Sequence, residues 1–274
     1  MRPRPMANPE SEREPLAEGT LISHLLELRT RLMRALIAVL LVALPCMGYA
    51  NELFGFIARP LLKVLPKGAS LISTSVTAPL LTPFKLAFYV ALIIAMPYVL
   101  FQLWSFVAPG LYRHEKRFAM PLLISSIVLF YAGVSFAYFI VFPLMFAFFT
   151  ATTPTGVQMM ADMTQYLDFV LVLFVAFGLM FEIPVAIVLL VWTGLVKIET
   201  LRKNRGYVLI AVFIQAAVIT PPDVISQTMM ALPMYALYEV GIVMAGILAK
   251  RKLAERAAAA AAEAAAEAEA DASH

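Results

Sequence analysis

The sequence predicts an all-α, polytopic membrane protein with six transmembrane helices, kinked and curved around a concave face, the last two spans short. Three observations predict it. The 274 residues are 62% hydrophobic and 14% charged, with a mean hydropathy of +0.84, far from the roughly 25% charged residues of a soluble domain. The apolar residues gather in runs long enough to cross hydrocarbon. The basic residues sit at the ends of those runs, a placement that argues against nucleic acid as the reason for a pI near 9.0.

A helix needs about 20 apolar residues to cross about 30 Å of hydrocarbon. Residues 32–50, 86–108, 122–149 and 166–195 meet that requirement. The later candidates are 207–220 and 226–249. At 1.5 Å per residue the fifth reaches only about 21 Å. A span so short thins the bilayer beside it or leans on neighbouring helices.

Basic residues orient the spans. With the amino end inside, Arg2, Arg4, Arg13, Arg29, Arg31 and Arg34 precede the first span. Arg113, Lys116 and Arg117 fall in the next inner loop, Lys197, Arg202, Lys203 and Arg205 in the following one, and Lys250, Arg251, Lys252 and Arg256 in the tail. These are 17 of the 21 Lys and Arg residues, the bias of the positive-inside rule for cytoplasmic N and C termini. Residues 1–20 are polar, lack the apolar core of a cleavable signal peptide, and are read as a disordered cytoplasmic tail. Residues 21–249 form the membrane domain. Residues 250–274 form a basic, then Ala/Glu-rich cytoplasmic tail.

Pro97, Pro143 and Pro184 lie inside spans. Each removes a helix hydrogen bond and crowds the carbonyl four residues earlier, so kinks are expected there. The outer loop 51–85 contains Pro60, Pro66, Pro79 and Pro83 among Leu and Ile residues that need a packing surface. It is read as a structured periplasmic cap. Cys46 is the single cysteine, within an apolar run, and His24, His114 and His274 show no paired metal spacing. No nucleophile elbow or phosphate-binding loop occurs. Nothing points to an enzyme, a metal or a cofactor.

The informative residues are those that do not belong in lipid. Glu182 lies within 170–192, flanked by long apolar stretches. A charged carboxylate at that depth costs roughly 2.5–3.5 kcal/mol, less when protonated. It faces a polar cavity or passing substrate, or else it hydrogen-bonds a neighbouring helix. Pro184 frees the Met180 carbonyl close by. Gln102, Gln215, Gln227 and Glu239 also lie in or near spans, where interhelical hydrogen bonding is the default. Asp223, in Thr220-Pro-Pro-Asp, is placed to cap the next helix. On the cytoplasmic side Leu21, Leu25, Leu28 and Leu32 form one stripe of an amphipathic helix. Glu27 lies on its polar side, four residues before Arg31. Glu115 is a lone acid among Arg113, Lys116 and Arg117, where a local, solvated salt bridge is the plain alternative to a binding role.

Five motifs now stand in order: Leu21-Ile-Ser-His-Leu-Leu-Glu-Leu-Arg; Phe106-Val-Ala-Pro-Gly-Leu-Tyr-Arg-His-Glu-Lys-Arg; Phe136-Ala-Tyr-Phe-Ile-Val-Phe-Pro; Ala176-Phe-Gly-Leu-Met-Phe-Glu-Ile-Pro-Val-Ala; and Thr220-Pro-Pro-Asp-Val-Ile-Ser-Gln. From about Leu21 to Gly246 the set resembles the TatC family, the signal-peptide receptors of twin-arginine protein translocases. The resemblance implies a six-helix concave receptor in the cytoplasmic (inner) membrane of a bacterium. It implies binding of the twin-arginine signal peptides of folded cargo proteins, with export driven by the proton-motive force. Signal-peptide recognition would fall on Glu115, Phe106, Glu27 and Arg29. Glu182 and Gln102 would be intramembrane polar positions. Thr220 and Gln227 would meet the single-span Tat subunits TatA and TatB, although Ala217 departs from the pattern of that patch. Pro60 matches a functionally sensitive position in the outer loop, and Asp223 lies in the last outer turn. A homo-oligomer within the receptor complex is also implied. Two other classes stay open: a proton- or ion-coupled secondary transporter using Glu182, weakened by the lack of an inverted repeat, and a membrane scaffold in which Glu182 and Glu115 are replaceable.

Overall fold

A computed structural model describes residues 14–64, 71–107, 119–154, 160–220 and 223–272. Among them the chain is helical throughout, apart from turns and one isolated bridge. The helices are α1 (Glu14–Gly48), α2 (Ala50–Val64), α3 (Ala78–Val107), α4 (Ala119–Phe136), a π-helical turn (Ala137–Val141), α5 (Phe142–Ala151), α6 (Met163–Met180), α7 (Ile183–Trp192), α8 (Ile198–Lys203), α9 (Arg205–Ile219) and α10 (Val224–Ala272). α1 opens at Glu14, inside the stretch read from sequence as a tail.

Five of these runs are long and apolar enough to cross a membrane: Leu25–Gly48, Ala78–Phe106, Met120–Ala151, Met163–Trp192 and Val224–Arg251. The 15-residue α9 supplies the sixth, short span. The expectation that both final spans are short needs correction: the last run has 28 residues. No breaker stops it, since Val240 to Ala249 is uncharged and the Ala-rich tail that follows favours helix. Pro233 is absorbed within it.

The three span prolines act differently. α3 runs through Pro97 without a break. Pro143 has no N–H for the Phe139 carbonyl, and the helix there widens to a π-turn, closed by the Phe142 N–H donating to the Ala137 carbonyl. Pro184 leaves the Met180 carbonyl without a donor, and the helix stops at Met180 and restarts at Ile183.

The chain divides into two compact units. The first combines residues 1–50 with 84–123. Two rows of mostly small residues at helical spacing are buried in it: Ala35, Val39 and Ala43 on α1, and Ala87, Ala91 and Ala95 on α3. Small residues at i, i+4 let helix backbones approach closely in lipid. An apolar groove of about 350 Å3, lined by Leu40, Leu44, Phe84 and Phe88 among others, opens beside them.

The second unit holds residues 51–83 and 124–274. Met163–Trp192 is its most enclosed span, with 61% of its apolar window inside the protein against 17% for Leu25–Gly48 in the first unit. One face of α6 is enclosed by protein, with Leu167, Val170, Leu173 and Phe177 fully buried, while Val172 and Leu179 stay exposed, so lipid and protein between them require apolar residues on every side. Rings of Phe136, Tyr138, Phe142, Phe146, Tyr166, Phe174 and Phe177 pack around it with centroids 5.0–6.4 Å apart. Glycines let the neighbours close in. A Cβ on Gly133 would stand 2.5 Å from the Phe177 carbonyl oxygen, and one on Gly178 would stand 2.5 Å from the Phe130 ring.

A polar clasp joins two distant stretches of this unit. The Asp162 carboxylate caps α6 by accepting from the Thr164 and Gln165 N–H groups at 2.9 and 3.1 Å. It also accepts from the Thr74 N–H at 3.0 Å and the Thr74 hydroxyl at 2.7 Å. Ile72 bridges the same strand-like pair, donating to the Ala161 carbonyl and accepting from the Met163 N–H. The Thr74 hydroxyl, followed by the surrounding N–H groups, holds the Asp162 carboxyl down at about 2, from an ordinary 3.8. A carboxyl depressed in the folded state stabilises above its unfolded value and loses that contribution as pH falls through the folded value. The stability advantage of the native chain over Asp162→Asn should therefore be full at neutral pH, shrink from about pH 4 and vanish near pH 2. Thermal unfolding in detergent across that range checks it; an advantage independent of pH would refute the capping role.

Candidate functional site

The site-forming residues fall in separate places. In the first unit, Glu27 lies on α1, where its Oε1 accepts from Arg31 Nε at 2.9 Å and Nη2 at 2.5 Å. The pair is the i,i+4 bridge expected on a helix. Around it a shallow depression is lined by Leu26, Thr30, Arg31 and Arg34. Arg29 is exposed on the same helix. Both Arg31 bonds fall on one carboxylate oxygen, so a second guanidinium has the other oxygen to approach. Phe106 is half-buried near the end of α3. Glu115, with His114 and the loop basic residues, lies outside the described residues.

Gln102, on α3, is buried, and its Oε1 has no hydrogen-bond partner among the described residues. Interhelical hydrogen bonding was the expected role for such residues, and its carbonyl oxygen does not show it.

In the second unit Glu182 sits at the break between α6 and α7, as the residue before α7 begins. The Ser126 hydroxyl of α4 donates to its Oε2 in a short hydrogen bond. Its Oε1 is buried with no partner among the described residues. The interhelical hydrogen bond expected of Glu182 is present on one oxygen, which ties α4 to the α6–α7 break. Ser126 was not singled out from sequence; a serine in an apolar span on a different helix carries no local signal of its partner.

At the other polar cluster, Asp223 caps α10 by accepting from the Ser226 N–H at 2.7 Å. Thr220 is buried at the end of α9, its hydroxyl donating to the Ala216 carbonyl at 2.9 Å. Gln227 is half-buried and Ala217 exposed nearby in sequence. Glu239 does make the interhelical contact expected of it. It accepts from Arg205 Nη2 at 2.6 Å and from the Tyr235 hydroxyl at 2.9 Å. The Tyr238 hydroxyl donates to the Leu201 carbonyl at 2.8 Å. These bonds tie the amino end of the short α9, and α8 before it, to the first third of α10. In the sequence Arg205 reads only as a topogenic charge, since its partner is 34 residues away.

No group of three or more His, Cys, Asp or Glu side chains among the described residues could hold a metal ion. What the arrangement offers is hydrogen-bond acceptors: carboxylate oxygens on α1 and at the α6–α7 break.

Residues 23–233 match the family described as "Sec-independent protein translocase protein (TatC)". A protein of that name from Azotobacter chroococcum is 52% identical over 236 residues, covering 86% of this chain and 91% of the relative. The one from Escherichia coli K12 is 51% identical over 222 residues, covering 81% and 86%. Among solved structures, a crystal structure of the "Twin Arginine Translocase Receptor- TatC" superposes with a TM-score of 0.75 at 40% identity, covering 82% of this chain and 98% of the other. With the helix order and the five motifs, these likenesses leave one conclusion: the chain belongs to the TatC family of Sec-independent protein translocase proteins.

Proposed function

We propose that this chain is the signal-peptide receptor and core subunit of a twin-arginine translocase. It sits in the bacterial cytoplasmic membrane with both termini in the cytoplasm and works with the single-span subunits TatA and TatB. Family membership across residues 23–233 is the observation that carries the reading. The distribution of Lys and Arg supports the orientation, with loop 51–85 as a periplasmic cap and the two end segments in the cytoplasm.

Recognition would work by exchange of guanidinium partners. Glu27 already holds one guanidinium, that of Arg31. A signal-peptide arginine takes the remaining oxygen or displaces Arg31, and Glu115 accepts the second arginine. Planar guanidinium forks suit carboxylates better than ammonium groups do. The apolar segment of the peptide then lies along the apolar spans, with Phe106 and Arg29 bordering the entry. Thr220 and Gln227, at the α9–α10 turn, would meet the single-span partners. Glu182 and Gln102 each present an acceptor oxygen inside the spans. The proton-motive force supplies the energy, and several copies of the chain act together in the receptor complex.

The test is binding of Arg-Arg and Lys-Lys signal peptides to membrane vesicles containing the native chain, Glu27→Gln, Glu115→Gln or both. Inside-out vesicles should bind and right-side-out ones should not. The native chain should favour Arg-Arg, each single change should reduce that preference several-fold, and raised salt should weaken binding. A double variant that keeps the full Arg-Arg preference would place recognition elsewhere.

A further inference from the structure

α2 is a helix that contains a proline, and its carbonyls are used in an unusual way. In an α-helix the Phe56 carbonyl accepts from the N–H of residue 60. Residue 60 is Pro60, which has none. The Tyr138 hydroxyl donates to that carbonyl at 3.0 Å. One residue on, the Tyr166 hydroxyl donates to the Ile57 carbonyl at 2.8 Å in a buried contact. Tyr138 also stacks on Phe56, ring centroids 5.2 Å apart and planes within 3°. The Arg59 guanidinium lies 5.4 Å from the far partner of that stack, the Phe56 ring.

The second irregularity matches the first. Tyr138 belongs to the π-turn Ala137–Val141, which Pro143 imposes. A π-turn carries an extra residue and so rotates side chains relative to a regular helix. One proline therefore frees a carbonyl on α2, and another sets the turn that carries its new donor. Ile57, Ala58 and Leu61 are buried beneath the contact, at 5%, 2% and 0% exposure.

We infer that Pro60 acts by withholding a donor, which leaves the Phe56 carbonyl to Tyr138; together with the separate Tyr166 bond this docks α2 onto the transmembrane helices, and these three are positioning residues for export. The role in export rests on the translocase reading above; the docking itself does not. A kink or a rigid φ at Pro60 would act without Tyr138. Withholding a donor acts only through a hydroxyl that takes its place. Restoring the N–H by Pro60→Ala lets α2 close its own bond and compete with Tyr138, whereas Tyr138→Phe keeps the stacked ring and loses the donor.

The experiment is a double-mutant cycle on the full chain in detergent. In a Cys46→Ser background, Ala58→Cys reports docking through its rate of maleimide labelling. Tyr138→Phe should speed labelling about fivefold, the opening expected when one ordinary hydrogen bond is lost, and Pro60→Ala should speed it by less, because the restored N–H shares the carbonyl with Tyr138. Together they should be no faster than the faster single change, because both act through one bond, Tyr138→Phe by removing its donor and Pro60→Ala by sharing its acceptor. Tyr166→Phe should add to either. If Pro60→Ala does not fold, the Tyr138→Phe and Tyr166→Phe pair carries the test, and unchanged labelling in both overturns docking. Independent, additive effects of Pro60→Ala and Tyr138→Phe overturn the withheld-donor mechanism. Export of a folded twin-arginine reporter should fall in the variants that label faster. Faster labelling with undiminished export overturns the positioning role alone. An export failure of the native chain itself would instead count against the translocase reading and leave the labelling result standing.

Discussion

Gly133→Ala should destabilise the protein by about 1–3 kcal/mol, the usual cost of overpacking a close-packed interior, and deplete it from membranes. The added methyl would stand 2.5 Å from the Phe177 backbone oxygen and 2.9 Å from the Phe181 ring. A backbone carbonyl within α6 cannot step aside as a side chain can, so α4 and α6 would have to separate. Gly178→Ala should cost less, because it meets the Phe130 side chain and not backbone, although that ring is itself buried. Gly246→Ala supplies the contrast. A Cβ there meets nothing within 4 Å, and relief of glycine's backbone entropy in a helix is worth roughly 0.5–1 kcal/mol. Thermal unfolding in detergent should therefore rank Gly246→Ala at or above the native chain and Gly133→Ala well below. Equal melting of the two would mean that α4 and α6 are not in the close contact described.

The second large effect is expected at the α6–α7 break. Glu182→Lys should abolish export and lower the amount of inserted protein. A central lysine costs roughly 2.5–3.5 kcal/mol on insertion scales. It also has no acceptor for the Ser126 hydroxyl that Glu182 now receives. Glu182→Gln keeps a carbonyl acceptor of similar shape and should retain most function. Ser126→Ala should fall between them, since it removes the donor from one carboxylate oxygen while the other already lacks a partner among the described residues. Export of a folded reporter, normalised to the protein in the membrane, measures all three. A lysine variant that exports as well as the glutamine variant would show that this carboxylate has no role.

Much of this architecture is legible in the sequence because hydrocarbon imposes a coarse rule. Long uncharged runs must be spans, and Pro184 marks the end of α6 through chemistry local to one turn. The capping by Asp223 is local too. The docking of α2 is not legible. Its polar and apolar residues are mixed over only 15 positions, too short to announce a span. Tyr138 and Tyr166 look like ordinary aromatic residues of apolar helices; only folding shows that their hydroxyls end on carbonyls 82 and 109 positions away. The same holds for Ser126 beside Glu182 and Arg205 beside Glu239. Polar residues in spans advertise that they need partners, but not which partners. The acids proposed for peptide recognition divide similarly: the Glu27–Arg31 pair follows from helical spacing, whereas a loop acid such as Glu115 has no periodicity to place it.

The clasp at Asp162 has a consequence for the order in which the chain assembles. Its two halves are 88 residues apart. Closing a flexible loop of that length costs about 4 kcal/mol from the length-dependent entropy alone, which offsets much of what the two exposed hydrogen bonds to Thr74 return. The local half, in which Asp162 caps the first turn of α6, carries no such penalty and forms with the helix. The Thr74 half closes once the intervening helices are inserted and the effective separation has collapsed. During synthesis, then, Asp162 first serves as a helix start signal and later as a latch, so its closure on Thr74 dates the moment when the α3–α5 portion of the chain is fully threaded.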